Sequence, residues 1–393
     1  MINLRQALSL GSNRGGWQKF LRSLERGRAG GAGKGSTGLR EGFGFGSNPG
    51  NLRMFVYRPP TLADNPALVV VLHGCTQTAA GYDLGAGWST LADRYGFALL
   101  LPEQQRSNNP NGCFNWFQPE HSRRNQGEPL SIRQMIEKSV VDNGIDRRRI
   151  FVTGLSAGGA MASNMLACYP EIFAGGAIVA GLPFGAATNV QQAFESMFQS
   201  PSRPAREWGD LVRKASSHRG PWPRVSIWHG NADKTVIPSN ALEILKQWTE
   251  VHGLPMSPSL KTRIDGFPRE VWINEAGDEL IEKYTITNMA HGTPLAIGGA
   301  EGACGAPGPF LLQVGISSSY HIAKFFGIAG ARAPAERNLV KFSPAPRHYA
   351  AAEPVLEGEV LDREDEAIPP MPPLPEIGAV INKALRAAGL IKD

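Results

Sequence analysis

The middle of the chain alternates between short apolar runs and stretches in which apolar residues recur at helical spacing. A short, nearly continuous apolar run is typical of a strand that is covered on both faces of a sheet. Predicted buried strands lie at residues 67–72, 97–101, 176–180 and 224–228. Predicted helices lie at residues 88–95, 131–143, 240–252 and 317–326. Strands that alternate with helices predict an α/β protein with a mostly parallel central sheet flanked by helices.

Three segments depart from this alternation. Residues 52–60 alternate like an edge strand and stop at two prolines. Residues 182–223 lack a strand pattern and contain several prolines, which predicts a lid-like insertion. Residues 270–274 and 279–287 predict a strand pair joined by a hairpin turn.

The two ends of the chain differ from this body in composition. Residues 1–40 end in a Gly-rich run, which predicts a flexible leader. Residues 41–330 are the predicted α/β domain. Residues 331–393 are predicted to form a Pro-rich, acidic linker followed by a short helix at 377–391.

Residues 150–161 carry the strongest chemical signal in the chain, reading Ile-Phe-Val-Thr-Gly-Leu-Ser-Ala-Gly-Gly-Ala-Met. Gly-Leu-Ser-Ala-Gly fits the G-x-S-x-G nucleophile elbow, and the flanking pattern supplies the strand before it and the helix after it. The elbow strains the backbone of its serine, and a Cβ at either glycine would collide with a neighbouring element. Ser156 is therefore the predicted nucleophile. The alternative is a Gly-rich turn that happens to contain a serine.

A serine nucleophile needs a histidine to accept its proton and a carboxylate to orient that histidine. On a sheet of this kind both partners follow the serine, each in a loop after a later strand. Asp233, just past strand 224–228, is the predicted acid, and His291, directly after strand 279–287, is the predicted base. The alternatives are Asp265 and Asp278 for the acid and His252, His321 and His348 for the base.

The oxyanion of such a reaction needs two N–H donors. One is predicted from Ala157, the residue after the nucleophile. The second is predicted from the loop after residue 72, where Gly74 and Cys75 offer backbone N–H groups. His73 in this loop is predicted to shape it rather than to act as the base.

Composition and charge argue against several other classes of function. The formal charge of +5 is small for 393 residues, and no basic block is interleaved with aromatic residues, so nucleic-acid binding is not expected. No apolar run is long enough to span a membrane. The four cysteines show no C-x-x-C spacing and no histidine at ligand spacing, so no metal is expected, and no organic cofactor is implied. Cys168 is predicted to be a core residue.

The joint pattern of motifs resembles the esterase/polyhydroxyalkanoate (PHB) depolymerase family of α/β-hydrolases, in its short-chain-length, extracellular type 1 catalytic domain. The resemblance covers about residues 43–328. The matching blocks are His73-Gly74-Cys75-Thr76-Gln77, Trp88 with Ala92-Asp93, Pro102-Glu103-Gln104, Cys113-Phe114-Asn115-Trp116-Phe117, 154–159, 220–230, Asp233 and Ala290-His291-Gly292.

This resemblance implies an α/β-hydrolase fold with Ser156, Asp233 and His291 as nucleophile, acid and base. It also implies a disulfide between Cys75 and Cys113 beside the oxyanion loop. The sequence shows no signal-peptide core, which by itself predicts a cytoplasmic protein, whereas the resembling family is largely extracellular. In a reducing compartment the two cysteines would stay as thiols.

The leading prediction is a serine esterase that hydrolyses poly- or oligo(3-hydroxyalkanoates), or other short-acyl esters, through an acyl-enzyme. Trp116, Phe117 and Trp222 are predicted to form an apolar floor for the acyl chain, with core packing as their alternative role. A feruloyl or acetylxylan esterase shares the same chemistry. From a different class, the chain could coat polymer granules through its ends and have only incidental esterase activity. The sequence leaves the oligomeric state open.

Overall fold

The apolar runs form neighbouring strands of one ten-stranded sheet in the computed structural model, which describes residues 38–299 and 301–330. The sheet order is β1-β2-β4-β3-β5-β6-β7-β10-β9-β8. Its strands are β1 (Arg40–Gly42), β2 (Arg53–Tyr57), β3 (Leu68–Leu72), β4 (Ala98–Glu103), β5 (Ile150–Leu155), β6 (Gly175–Val179), β7 (Arg224–Gly230), β8 (Leu260–Ile264), β9 (Phe267–Ile273) and β10 (Glu279–Ile286). A separate pair consists of β11 (Thr293–Leu295) and β12 (Leu311–Gln313).

Helices connect the strands. They are α1 (Ala79–Ala86), α2 (Trp88–Tyr95), α3 (Gly127–Asn143), α4 (Ala157–Cys168), α5 (Val190–Phe198), α6 (Ala205–Ala215), α7 (Ser239–His252) and α8 (Ser318–Phe325), with a 3₁₀ turn at Pro119–His121. The six strands from β4 to β10 in the middle of the sheet pair in parallel, and the strands at both margins pair antiparallel. The predicted α/β-hydrolase architecture is confirmed.

The inner strands are buried on both faces because their side chains alternate between two cores. In β3, Leu68, Val70 and Leu72 belong to one core, which packs against α3, α4 and α7. Val69 and Val71 belong to the other core, which packs against α2 and α8. This alternation explains why the strand sequence contains no polar position.

The structure corrects two predictions of local structure and extends a third. The strand at 53–57 is not an edge strand, because β1 pairs with its outer side. Strand 224–228 extends to residue 230, so His229 lies within the sheet. The predicted hairpin of β9 and β10 is present, and β8, which the sequence analysis did not predict, adds a third antiparallel strand.

The predicted insertion at 182–223 contains α5 and α6 and no strand. It is tied to α7 by the buried side chain of Trp208, whose indole N–H donates to Oε2 of Glu243 at 2.7 Å. Gln247 of the same helix donates to the carbonyl of Phe184 at 3.0 Å. These contacts fix the insertion against the body of the fold.

Two other features bear on the predicted domain organisation. The predicted leader, apart from residues 38–40, and the predicted linker and helix at 331–393 lie outside the described residues. Within the described part of the chain, no helix combines the length and the apolar character needed to cross a membrane.

Helix α4 approaches the sheet closely through Gly158. A Cβ built on Gly158 would lie 2.2 Å from the carbonyl oxygen of Leu72, and backbone cannot yield as a flexible side chain would. We expect Gly158→Ala to lower the urea midpoint of unfolding, because overpacking a buried contact costs about 1–3 kcal/mol. Gly299→Ala is the matched control, since a Cβ there meets nothing within 4 Å. Equal midpoints for the two variants would contradict the close approach.

The disulfide implied by the family resemblance is present between Cys75 and Cys113, 38 residues apart in sequence. Closing a loop of this length stabilises a fold by about 4 kcal/mol in the chain-entropy description. We expect a reductant to lower the thermal midpoint of the wild type and to leave that of a Cys75→Ala/Cys113→Ala double variant unchanged. A reductant that lowers both midpoints equally would show that the bond contributes nothing to stability.

Candidate active site

Ser156 lies between the end of β5 and the start of α4 in a conformation that L-residues rarely adopt. Its φ is 57° and its ψ is −117°. Its N–H donates to the carbonyl of Val179 on the neighbouring strand at 2.9 Å, and its carbonyl accepts from Ala160 at 2.9 Å. Such a backbone costs about 1–3 kcal/mol and persists only where its surroundings hold it. Hydrogen bonds to the sheet and to the helix hold the backbone of Ser156 from both sides. The position from which its side chain projects is therefore fixed.

Asp233 and His291 are brought together from loops that follow β7 and β10. Nδ1 of His291 lies 2.7 Å from Oδ2 of Asp233, and both residues are buried. The two loops meet closely at Gly230, where a Cβ would lie 2.2 Å from the carbonyl oxygen of Met289. The parallel pairing of β7 with β10 therefore delivers the acid and the base to the same edge of the sheet.

The carboxylate of Asp233 is held by several donors. Its Oδ1 accepts the backbone N–H groups of Thr235 at 2.8 Å and Val236 at 3.0 Å. Burial alone would raise the pKa of Asp233, but His291 and His229 outweigh burial and hold the pKa well below its usual range. The carboxylate therefore stays ionised across the neutral range and can only accept hydrogen bonds.

Ser156 and His291 face one small cavity at this edge. The cavity is lined by Gly74, Cys75, Gln77, Leu155, Ser156, His291 and Phe310. Asp233 lies behind His291, bonded to the opposite ring nitrogen from the one that can face the serine. The three residues predicted as nucleophile, acid and base thus occupy one site.

The predicted oxyanion donors also lie at this cavity. The N–H of Gly74 donates to Oε1 of Gln77 at 2.8 Å, so this donor is already engaged. Cys75 lines the cavity, and Ala157 is the first residue of α4, where a backbone N–H lacks an intrahelical partner. The geometry favours Cys75 over Gly74 as the second donor.

His73 makes contacts that fit a role in shaping the loop. Its Nε2 accepts the N–H of Gln104 at 3.1 Å, and its Nδ1 lies 2.8 Å from the carbonyl oxygen of Gly74. Nδ1 must therefore carry the hydrogen, since a carbonyl can only accept. Burial lowers the pKa of His73, so the ring is neutral and joins two loops.

A buried polar network supports the Cys113 side of the disulfide. Nε2 of Gln104 donates to Oε1 of Glu128 at 2.6 Å and to the carbonyl of Cys113 at 3.1 Å. Oε2 of Glu128 accepts the N–H of Asn115 at 2.9 Å. Burial raises the pKa of Glu128 to about 7 although these donors favour its ionised form. The network fixes the loop that carries Cys113, and no motif in the sequence predicts it.

The three aromatic residues predicted to bind substrate are not among the residues that line the cavity. Trp116 is buried in the core, and its carbonyl accepts from Asn164 of α4 at 3.0 Å. The ring of Phe117 packs edge-on against Trp116. Trp222 packs against His218.

Phe310 is the aromatic residue at the cavity, and its ring centroid is 5.9 Å from that of His291. Phe310 lies in a loop without a motif, so the sequence does not predict its place at the cavity. Gln77 belongs to the His-Gly-Cys-Thr-Gln block, but the sequence does not predict its contact with Gly74.

The alternative acids and bases have other partners. Asp265 pairs with His321 at 2.9 Å, and His252 lies 3.1 Å from the carbonyl oxygen of Pro223. Asp278 is part of the turn between β9 and β10, and His348 lies outside the described residues. Among the described residues, no group of three His, Cys, Asp or Glu side chains is arranged to hold a metal ion.

Known proteins similar to this chain include a depolymerase and esterases. The family model described as "Esterase PHB depolymerase" matches residues 52–267. The chain is 46% identical over 287 residues to poly(3-hydroxyalkanoate) depolymerase C of Paucimonas lemoignei, covering 73% of this chain and 69% of that protein. It is 34% identical over 257 residues to an acetylxylan esterase of Coprinopsis cinerea, covering 64% of this chain and 68% of that protein.

A solved structure extends the likeness from sequence to fold. The acetyl xylan esterase from Aspergillus awamori superposes with a TM-score of 0.63 at 28% identity, covering 75% of this chain and all of that chain (100%). The match with the family model covers more than half of the sequence. The chain therefore belongs to the esterase PHB depolymerase family and is a carboxylic ester hydrolase with the α/β-hydrolase fold.

Proposed function

We propose that the protein hydrolyses ester bonds of poly- or oligo(3-hydroxyalkanoates) through an acyl-enzyme on Ser156, with His291 as the base and Asp233 as its acid partner. The observation that carries the chemistry is the 2.7 Å contact between Nδ1 of His291 and Oδ2 of Asp233, beside a cavity that His291 shares with Ser156. No other His–carboxylate pair of the described residues borders that cavity.

The tautomer of His291 follows from its partner. An ionised carboxylate only accepts hydrogen bonds, so Nδ1 carries the ring hydrogen and the lone pair of Nε2 is free. Nε2 is then the atom that accepts the hydroxyl proton of Ser156. The charge that develops on the ring is stabilised by Asp233, which remains ionised throughout.

The reaction proceeds in two balanced halves. Oγ of Ser156 attacks the ester carbonyl carbon, its proton moves to Nε2 of His291, and the tetrahedral oxyanion accepts the N–H groups of Cys75 and Ala157. The C–O bond to the alcohol then breaks, and the alcohol leaves with the proton from His291. Water repeats the sequence on the acyl-enzyme, which releases the acid and restores Ser156.

The polyester substrate is supported by the relatives. The depolymerase of Paucimonas lemoignei is 46% identical to this chain, against 34% for the acetylxylan esterase of Coprinopsis cinerea. Phe310 at the cavity, with Leu155, offers an apolar surface to a short acyl chain. Trp116, Phe117 and Trp222, which the sequence predicted to bind substrate, are not among the residues that line this cavity. We also propose that residues 41–330 carry the catalysis; the predicted leader at 1–40, apart from residues 38–40, and the predicted linker and helix at 331–393 lie outside the described residues.

Carbohydrate ester hydrolysis is the second candidate. It is favoured by the acetylxylan esterase relatives, one of which has a solved structure that matches most of this chain. The chemistry at Ser156 would be the same. The acid released and the alcohol bound would differ.

Replacement of the nucleophile tests the mechanism. We expect Ser156→Ala to lower kcat on p-nitrophenyl butyrate by at least about 10⁴-fold, because loss of a triad serine leaves only binding and oxyanion stabilisation. Ser257→Ala, at an exposed serine, is the control and should keep full activity. Circular dichroism should give the same spectrum for both variants. Activity retained by Ser156→Ala would overturn the assignment of the nucleophile.

A comparison of two substrates, each assayed separately, tests the polyester assignment. We expect the wild type to clear a suspension of amorphous polyhydroxybutyrate and to release little acetate from acetylated xylan at equal enzyme concentration. Turbidity and released acid are the two measurements. Fast acetate release without clearing would favour the carbohydrate esterase. Sedimentation with polymer granules without any hydrolysis would favour a granule-binding protein.

A further inference from the structure

A second histidine contacts the carboxylate of Asp233. His229 lies near the end of β7, four positions before Asp233, and its side chain is 4% exposed. Its Nε2 is 2.8 Å from the carbonyl oxygen of Val236 and 3.3 Å from Oδ2 of Asp233. His229 is not among the residues that line the cavity, so it approaches the acid from behind the site.

The tautomer of the His229 ring is set by its neighbours. The atoms close to Nε2 belong to a carbonyl and a carboxylate, and both only accept hydrogen bonds. Nε2 therefore carries the hydrogen and shares it between Val236 and Asp233. The other ring nitrogen, Nδ1, is buried and has no partner among the described residues.

An unpartnered buried nitrogen is unfavourable, so the position of the ring is not explained by satisfying its own polar atoms. It is explained by what Nε2–H does for the carboxylate. Two backbone N–H groups hold Oδ1 of Asp233, and the two histidines, His229 and His291, hold Oδ2. Rotation of the carboxyl group would break contacts at both oxygens.

We propose that His229 is a positioning residue of this active site, whose Nε2–H orients Oδ2 of Asp233 toward His291 and withdraws part of its negative charge. The proposal rests on the proposed function, in which Asp233 and His291 serve Ser156. His229 touches neither the substrate nor the serine, and acts through Asp233.

Loss of this donor has two separable effects. The carboxylate becomes less well oriented, which lowers kcat and leaves KM unchanged because the cavity is not altered. The negative charge facing His291 also increases, which favours the imidazolium and moves the acidic limb of the kcat/KM profile to higher pH. The charged group in contact with His229 is Asp233, whose carboxylate His291 also contacts. The exposed Lys234 follows Asp233 in the turn, and the uncharged Thr285 pairs with His229 in the register of β10.

Matched amide variants test the proposal on the full chain with p-nitrophenyl butyrate from pH 5 to 9. His229→Gln places an amide N–H₂ at the same number of bonds from the backbone as Nε2, and His229→Asn places it one bond short. His229→Leu removes the donor and keeps the bulk. The concentration of active enzyme is measured by titration with a phosphonate ester, so that misfolded protein does not lower the calculated kcat.

We expect His229→Leu and His229→Asn to lower kcat about tenfold, the effect of losing a hydrogen bond to a charged group. KM should stay within about twofold, and the acidic limb should rise by about half a pH unit. In His229→Gln the acidic limb should return to its wild-type pH, and most of the wild-type kcat should be recovered. If the Leu variant does not fold, the Asn and Gln pair carries the same comparison.

The positioning role would be overturned if the acidic limb of the kcat/KM profile stays at its wild-type pH in His229→Asn. It would also be overturned if kcat of His229→Gln is no higher than kcat of His229→Asn. Failure of the proposed function is distinguishable from this result. In that case Ser156→Ala would retain activity, whatever the variants at position 229 do.

Discussion

The active site depends on the close approach of α4 to β3 and β5. A Cβ at Gly154 would lie 2.4 Å from the backbone of Gly158, and a Cβ at Gly158 would lie 2.2 Å from Leu72. Only hydrogen atoms fit at these two positions, so a single residue, Ser156, separates the end of the strand from the start of the helix. Ser156 is held in its strained conformation by this contact, and Ala157 becomes the first residue of the helix, where backbone N–H groups lack intrahelical partners. The sheet, the helix and the oxyanion donor are thus fixed by one steric constraint.

The parts of the fold that the sequence predicted are those where burial determines residue type. The inner strands contact cores on both faces, so their apolar runs are unbroken and easily recognised. Strand β8 was missed because its Leu-Lys-Thr-Arg-Ile sequence is partly exposed at the margin of the sheet. Helix α1 was missed because it contains Gly81 and Gly85 and has no clear apolar stripe; the Thr78 side chain caps it by accepting the N–H of Gly81.

The residues of the candidate site also fall into those that the sequence predicted and those that it did not. Ser156, Asp233 and His291 were predicted because an elbow motif and the order of residues after strands constrain them strongly. Gln77, Phe310 and Glu128 were not, because their roles follow from the direction of a side chain across segments far apart in sequence. Trp116 shows the converse: it belongs to a recognised block, but it is buried in the core and does not line the cavity.

The margin of the sheet formed by β8 affects how molecules of this protein associate with one another. Strand β8 is the last strand in the order, and its outer backbone groups are not paired within the sheet. Lys261 and Arg263 of this strand are exposed. A strand from another molecule that added to this margin would have to desolvate these cations, and charged margins of this kind oppose edge-to-edge association. These two cations therefore disfavour the addition of a further strand at the β8 margin of the sheet.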